Sequence, residues 1–171
     1  GNAVRLVQET NYPWDGKMAI QVQPEKSGRF GLRIRIPGWA QNEAVPSDLY
    51  EFASTSAARP ELSVNGTSTP LKLEKGYATL RRNWSQGDRV ELELPMPIRR
   101  VIAHPNVHED RGKVALQRGP VVFCLEGPDN GGEVLDMYIP DDAELSSRYE
   151  PELLNGVMTI RGEAQTAKRS E

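Results

Sequence analysis

The chain has 171 residues, 37% of them hydrophobic and 26% charged, with a formal net charge of −3. That size suits one large domain or two small ones. The totals show no basic excess, which excludes a nucleic-acid binder. The longest apolar run, "PVVFCL" at 120–125, is far below the ~20 residues of a membrane helix. The single cysteine excludes an internal disulfide.

The opening residues lack the basic-then-apolar pattern of a signal peptide. Localisation therefore stays unassigned, with a periplasmic or extracellular parent compatible. The first distinctive stretch is "ETNYPWDGKMAI" (9–20). Its aromatics, proline and Asp15-Gly16 pair suit either a site or a rigid corner. We read a corner, with Pro13 fixing φ and Gly16 permitting the turn.

Strand periodicity follows. "KMAIQVQ" (17–23) places Met18, Ile20 and Val22 on one face, and "RFGLRIRIP" (29–37) sets Phe30, Leu32, Ile34 and Ile36 against Arg33 and Arg35. Residues 40–60 lack alternation and are polar; they predict a long loop with one helical turn around Ser47 to Phe52. "ELSV" precedes Asn65-Gly66, a pair suited to a type I′ hairpin. "DRVELELP" (88–95) sets Val90, Leu92 and Leu94 against Glu91 and Glu93. Alternation with a turn signal every ten residues or so predicts an all-β, antiparallel, jelly-roll-like β-sandwich.

Beyond it the strand signals weaken. "GPDNGGE" (127–133) reads as a linker or wide turn, "VLDMYI" (134–139) and "GVMTIRG" (156–162) as strands, and "EAQTAKRSE" (163–171) as a frayed tail. The division drawn from the sequence is a sandwich at 1–103 and a smaller β unit at 104–171. The second unit is too small for a full core, so it shares the first one's or is incomplete.

Several blocks together resemble the non-catalytic β region of glycoside hydrolase family 127, the β-L-arabinofuranosidase-like enzymes. They are "ETNYPWDGK", "LRIRIPGWA", "VNG", "GYATLRRNWSQGDRVELELPMPIRRVIAHP" and "EDRGKVALQRGPVVFCLEG". The resemblance runs in order from Val4 to Asn130, and less clearly to Gly162. It implies a middle sandwich and the start of a C-terminal β domain. In that family an N-terminal helical barrel carries the chemistry, with a zinc-bound cysteine nucleophile and a glutamate acid/base. None of those barrel motifs stands in this sequence, so no catalytic residue, metal or cofactor is assigned to it. The implied partner is a helical barrel on the same polypeptide; a homo-oligomer and a carbohydrate ligand are the other partners considered.

The remaining candidates divide between chemistry and plain structure. Cys124 lies in an apolar strand with no cysteine partner for a zinc cage, so we expect it buried and inert. His104 and His108, with Glu109 and Asp110, read as a polar connector, because Pro105 disfavours helix at His104. Glu9, Asp15, Glu109, Asp110 and Glu126 could supply the two acids of a glycosidase, but 24 acids make chance pairs common. Trp14, Trp39 and Trp84 each adjoin a turn; they read as plugs of the sandwich, with sugar platforms as the alternative. Leu49, Tyr50, Phe52, Arg99 and Arg100 are the expected domain-interface residues.

Overall fold

The computed structural model describes residues 2–132 and 134–167. The strands are β1 (Val4–Thr10), β2 (Lys17–Pro24), β3 (Gly28–Arg35), β4 (Tyr50–Phe52), β5 (Glu61–Val64), β6 (Thr67–Ser68), β7 (Leu73–Glu74) and β8 (Tyr77–Trp84). They continue with β9 (Asp88–Glu93), β10 (Ile98–Ala103), β11 (Ala115–Arg118), β12 (Val121–Phe123), β13 (Met137–Tyr138), β14 (Leu145–Glu150), β15 (Val157–Gly162) and β16 (Gln165–Thr166). Short 3-10 turns at Gly38–Gln41, His108–Asp110 and Pro128–Asn130 supply the helical content of the described residues.

One sheet runs β1-β2-β9-β5-β6 and a second runs β3-β8-β7, all neighbours antiparallel. The alternation of the strands decides what lies between them. Val22, Leu62, Val64, Val90 and Leu92 from the first sheet meet Ile34, Ala78, Leu80 and Trp84 from the second, with Ile36 and Leu94 closing the cluster. In β2, β3, β5, β8 and β9 the residues of this cluster are drier than their chain neighbours, the pattern of a β-sandwich. Trp84 is fully buried; its Nε1 donates to the Phe30 carbonyl at 3.2 Å, and its ring stacks on Phe30 with centroids 5.9 Å apart.

Two hairpin turns follow the residue chemistry. Asn65 and Gly66 have φ of 52° and 75°, and Val64 pairs with Thr67 across them. That is the two-residue turn with both centres left-handed expected of Asn-Gly. Gly16 has another role. A Cβ there would stand 1.8 Å from the Leu94 carbonyl oxygen, and its own carbonyl accepts from Leu94 N at 2.9 Å. Close backbone approach, not a left-handed turn, requires glycine.

The second unit is a four-stranded sheet, β12-β11-β10-β4, followed by the hairpin β14-β15 and the pair β13-β16. The strand 98–103, placed with the sandwich from sequence, hydrogen-bonds here to β11 and β4. Val101 is the buried hydrophobic residue of this unit among the described residues, and it lies outside the sandwich cluster. The unit therefore has a thin interior of its own.

Three expectations need correction. Residues 40–60 are not simply a loop with a helical turn: Tyr50–Phe52 is a strand paired with β10, Phe52 opposite Val101. The described tail does not fray throughout, because Gln165 and Thr166 pair with Tyr138 and Met137; residues 168–171 of that tail lie outside the described residues, as does Glu133 of the linker. Cys124 is exposed. It follows the end of β12, a three-residue edge strand, and among the described residues no further strand pairs beyond it.

Candidate functional site

A polar and aromatic constellation lies at the seam between sandwich and second sheet. Pro37 ends the run after β3, and the 3-10 turn Gly38–Gln41 then carries Trp39 against the core cluster. Asn42 closes that turn at φ 66°, in the left-handed region asparagine tolerates. Its side chain becomes a hub: Oδ1 accepts from Ser56 N at 2.9 Å and Arg99 Nη1 at 3.0 Å, while Nδ2 donates to Ser56 O at 3.3 Å.

Arg99 has further partners. Its guanidinium carbon lies 3.8 Å over the Phe52 ring centroid, and Nη2 donates to the Ser54 carbonyl. Burial lowers its pKa; from so high a starting value it remains a cation at neutral pH. Trp39, Asn42, Phe52, Arg99, Gln117 and Gly119 line a niche of about 10 Å³, roughly the space of one water molecule. The Trp39 Nε1 is buried without a hydrogen-bond partner. A niche this small takes no sugar ring. The arrangement joins two units and shows no reactive pair.

The other expected interface residues are also engaged within the chain. Arg100 Nη2 donates to the Pro140 carbonyl at 2.6 Å, and Nη1 to that of Asp141. The Tyr50 hydroxyl donates to Asp110 Oδ2 at 2.9 Å. That bond, then the carboxylate's charge and burial, raise the phenol's pKa. Leu49 alone of the group is half exposed, at 50%.

The "NYPWDG" stretch is a corner. Thr10 Oγ1 accepts from Tyr12 N at 3.0 Å, the Tyr12–Pro13 peptide is cis, and Asp15 Oδ1 accepts from Lys17 N at 2.9 Å. Arg118 Nη1 from β11 donates to the Trp14 carbonyl at 2.9 Å, so the corner is also a strut to the second unit. Trp14 and Trp39 are half-buried. Trp84 has no exposed surface, which removes it as a sugar platform.

Glu9 and Glu91 lie on the outer face of the first sheet and share Arg89, at 3.2 Å each. They flank an open trough of about 700 Å³ also lined by Lys17, Glu61, Glu93 and Asp15. Asp110 holds Tyr50, and Glu126 Oε1 lies 3.9 Å from the Cys124 thiol. Among the described residues no three His, Cys, Asp or Glu side chains gather as a metal site. His104 accepts from Asn106 N through Nδ1 at 3.2 Å and caps its own turn. Sequence reading missed the Asn42 hub and the Arg118 strut. Neither carries a local signal, since both depend on partners 57 and 104 residues away.

The class defined by this architecture is an all-β antiparallel sandwich with a second β sheet joined to it. Two family models match it in succession: the β-L-arabinofuranosidase GH127 middle domain over residues 1–96, and the glycoside hydrolase family 127 C-terminal domain over residues 98–160. The chain belongs to glycoside hydrolase family 127. It is 33% identical over 167 residues to a non-reducing end β-L-arabinofuranosidase of Bifidobacterium longum subsp. longum, covering 93% of this chain and 23% of that protein. It superposes on the crystal structure of a family 127 β-L-arabinofuranosidase from Geobacillus stearothermophilus T6 with a TM-score of 0.86 and 44% identity, over 99% of this chain and 24% of that one. A second solved structure, of a family 127 β-arabinofuranosidase, gives a TM-score of 0.91 at 36% identity, over 96% and 26%. The chain thus spans about a quarter of the length of these relatives.

Proposed function

We propose that residues 1–171 are the non-catalytic accessory region of a longer β-L-arabinofuranosidase-like hydrolase, supporting a helical-barrel catalytic domain carried elsewhere on the polypeptide. The observation that carries this is the succession of middle-domain and C-terminal-domain matches along a chain one quarter the length of its relatives. The physical reading agrees. The sandwich has a complete core, whereas the second unit leaves Val122, Leu125, Leu135 and Leu154 exposed at 62%, 46%, 94% and 81%. So much apolar surface on a small unit fits a piece that is covered in a larger assembly. The parent then removes a β-L-arabinofuranosyl unit from a non-reducing end, with the chemistry outside this chain.

The test is an assay of the isolated chain and the full-length protein on an aryl β-L-arabinofuranoside, with and without zinc. Turnover is expected from the full-length protein alone. Hydrolysis by the purified isolated chain, lost on Cys124→Ser, would remove the accessory reading. So would a full-length protein that keeps its activity and stability after deletion of residues 1–171.

A further inference from the structure

The sandwich is electrically two-sided. On the outer face of the five-stranded sheet, Arg89 is shared between Glu9 and Glu91, and Asp15, Glu61 and Glu93 line the same trough with Lys17, so that face carries an acidic excess. The outer face of the three-stranded sheet is different. Phe30, Leu32 and Ile34 turn into the core from β3, so Arg29, Arg33 and Arg35 point outward. Ala78, Leu80 and Trp84 turn in from β8, so Tyr77, Thr79 and Arg81 point outward beside them.

The register sets the pattern. Arg35 stands opposite Tyr77, Arg33 opposite Thr79, and Arg81 opposite Gly31. The missing side chain of Gly31 lets Arg81 lie close, its Cγ 3.5 Å from where a Cβ would be. Tyr77 is held by two cations, the Arg33 guanidinium 4.9 Å and that of Arg35 5.4 Å from its ring centroid. The Thr79 hydroxyl oxygen is buried and lacks a hydrogen-bond partner. Among the described residues none of Arg29, Arg33, Arg35 and Arg81 has a carboxylate within ion-pair distance. Glu74, opposite Tyr77 on β7, is the acid nearest in register and makes no ion pair. Arg35 Nη1 donates to the Lys75 carbonyl at 3.4 Å, yet four arginines without a carboxylate partner on one sheet face are anomalous in a chain of net charge −3.

We propose that this Arg29–Arg33–Arg35–Arg81 face, centred on Tyr77, docks onto an acidic surface of the same polypeptide outside residues 1–171. The inference rests on the accessory reading above and names the surface that reading needs. The chemistry of the face sets the partner. Arginine forks pair two-pronged with carboxylates, and arginine and tyrosine are the residues enriched in interface centres. The stacked ring holds both guanidinium groups in place before contact, which lowers the ordering cost of binding. Chain to supply the acids is implied by relatives four times as long.

The test is arginine-selective modification with phenylglyoxal, read by mass spectrometry, on the isolated chain and on the full-length protein. All four arginines should react readily in the isolated chain and about tenfold or more slowly in the full-length protein. Exposed Arg5, on the sandwich edge strand β1, serves as the reference and should react alike in both. In the full-length protein, Arg33→Glu with Arg35→Glu should restore labelling of Arg81. The same pair should lower the melting temperature of the isolated chain by no more than a few degrees, since it removes two exposed cation–π contacts and one hydrogen bond to a carbonyl. Equal labelling in both proteins would sink the docking face while leaving the accessory reading standing, since that rests on activity. Protection that appears in the isolated chain only at high concentration would mean self-association and would also overturn the proposal.

Discussion

Phe52 and Arg99 lie face to face, the guanidinium carbon 3.8 Å above the ring centroid. The pair forms where β4 leaves the sandwich's crossing segment and joins the second sheet. Phe52→Ala should destabilise the chain by about 2 kcal/mol, less than a core phenylalanine because the ring is half-buried. Arg99→Ala also strips partners from Asn42 and Ser54. A double-mutant cycle read by urea denaturation should give a coupling of ~1 kcal/mol. Arg99→Lys should not restore it, because a point ammonium cannot stack and reach Asn42 together. Additive single effects would mean the contact is incidental.

Gly16→Ala should cost about 3 kcal/mol or more, since its Cβ would meet Leu94 backbone that cannot swing aside. Gly66→Ala is the control. That site has a φ of 75° but open space within 4 Å, so it should cost only the ~1 kcal/mol of a left-handed alanine. Thermal melts of the two variants separate close approach from turn strain; equal losses would count against the distinction.

How far the sequence was readable follows from the range of the forces involved. Alternation in 29–37 and 88–95 is local, and the inward residues it names are the core residues found. Asn65-Gly66 is local too. Tyr50–Phe52 is a strand because β10, some 50 residues later, supplies its hydrogen bonds; three residues in a polar stretch carry no period. Cys124 misled because an apolar run reports β-propensity, whereas burial needs a second layer that its edge strand lacks. Arg99 and Arg100 read as donors to another domain, yet carbonyls of Ser54, Pro140 and Asp141 accept from them. Nothing near either arginine in sequence announces those partners.

Cys124 should react with a thiol reagent in the folded isolated chain as fast as after denaturation. It is exposed, and access then ceases to limit the rate. Cys124→Ser should change stability by no more than about 0.5 kcal/mol, as for other surface substitutions. Native labelling slower than that of the denatured chain would mean the end of β12 is covered in solution.

Asp88 should make stability fall in acid. Its carboxylate accepts from Asn65 Nδ2 at 2.8 Å and from Ser85 N at 2.9 Å, tying the β5–β6 hairpin to the turn before β9. The Asn65 bond first, then the Ser85 bond, lower its pKa; burial opposes and Arg82 assists. A carboxyl whose folded pKa is depressed binds fewer protons in the folded state. Its contribution is therefore complete above the unfolded value near ~3.9 and is lost as pH falls through the lower, folded one. Asp88→Ala should cost about 1 kcal/mol at neutral pH, the worth of an exposed charge-assisted clasp. The gap between wild type and variant should narrow once the pH drops below the ordinary carboxylate range. Parallel urea denaturation series at neutral and acidic pH measure it. A gap that stays constant through that titration would show that the ionised form is not what holds the hairpin.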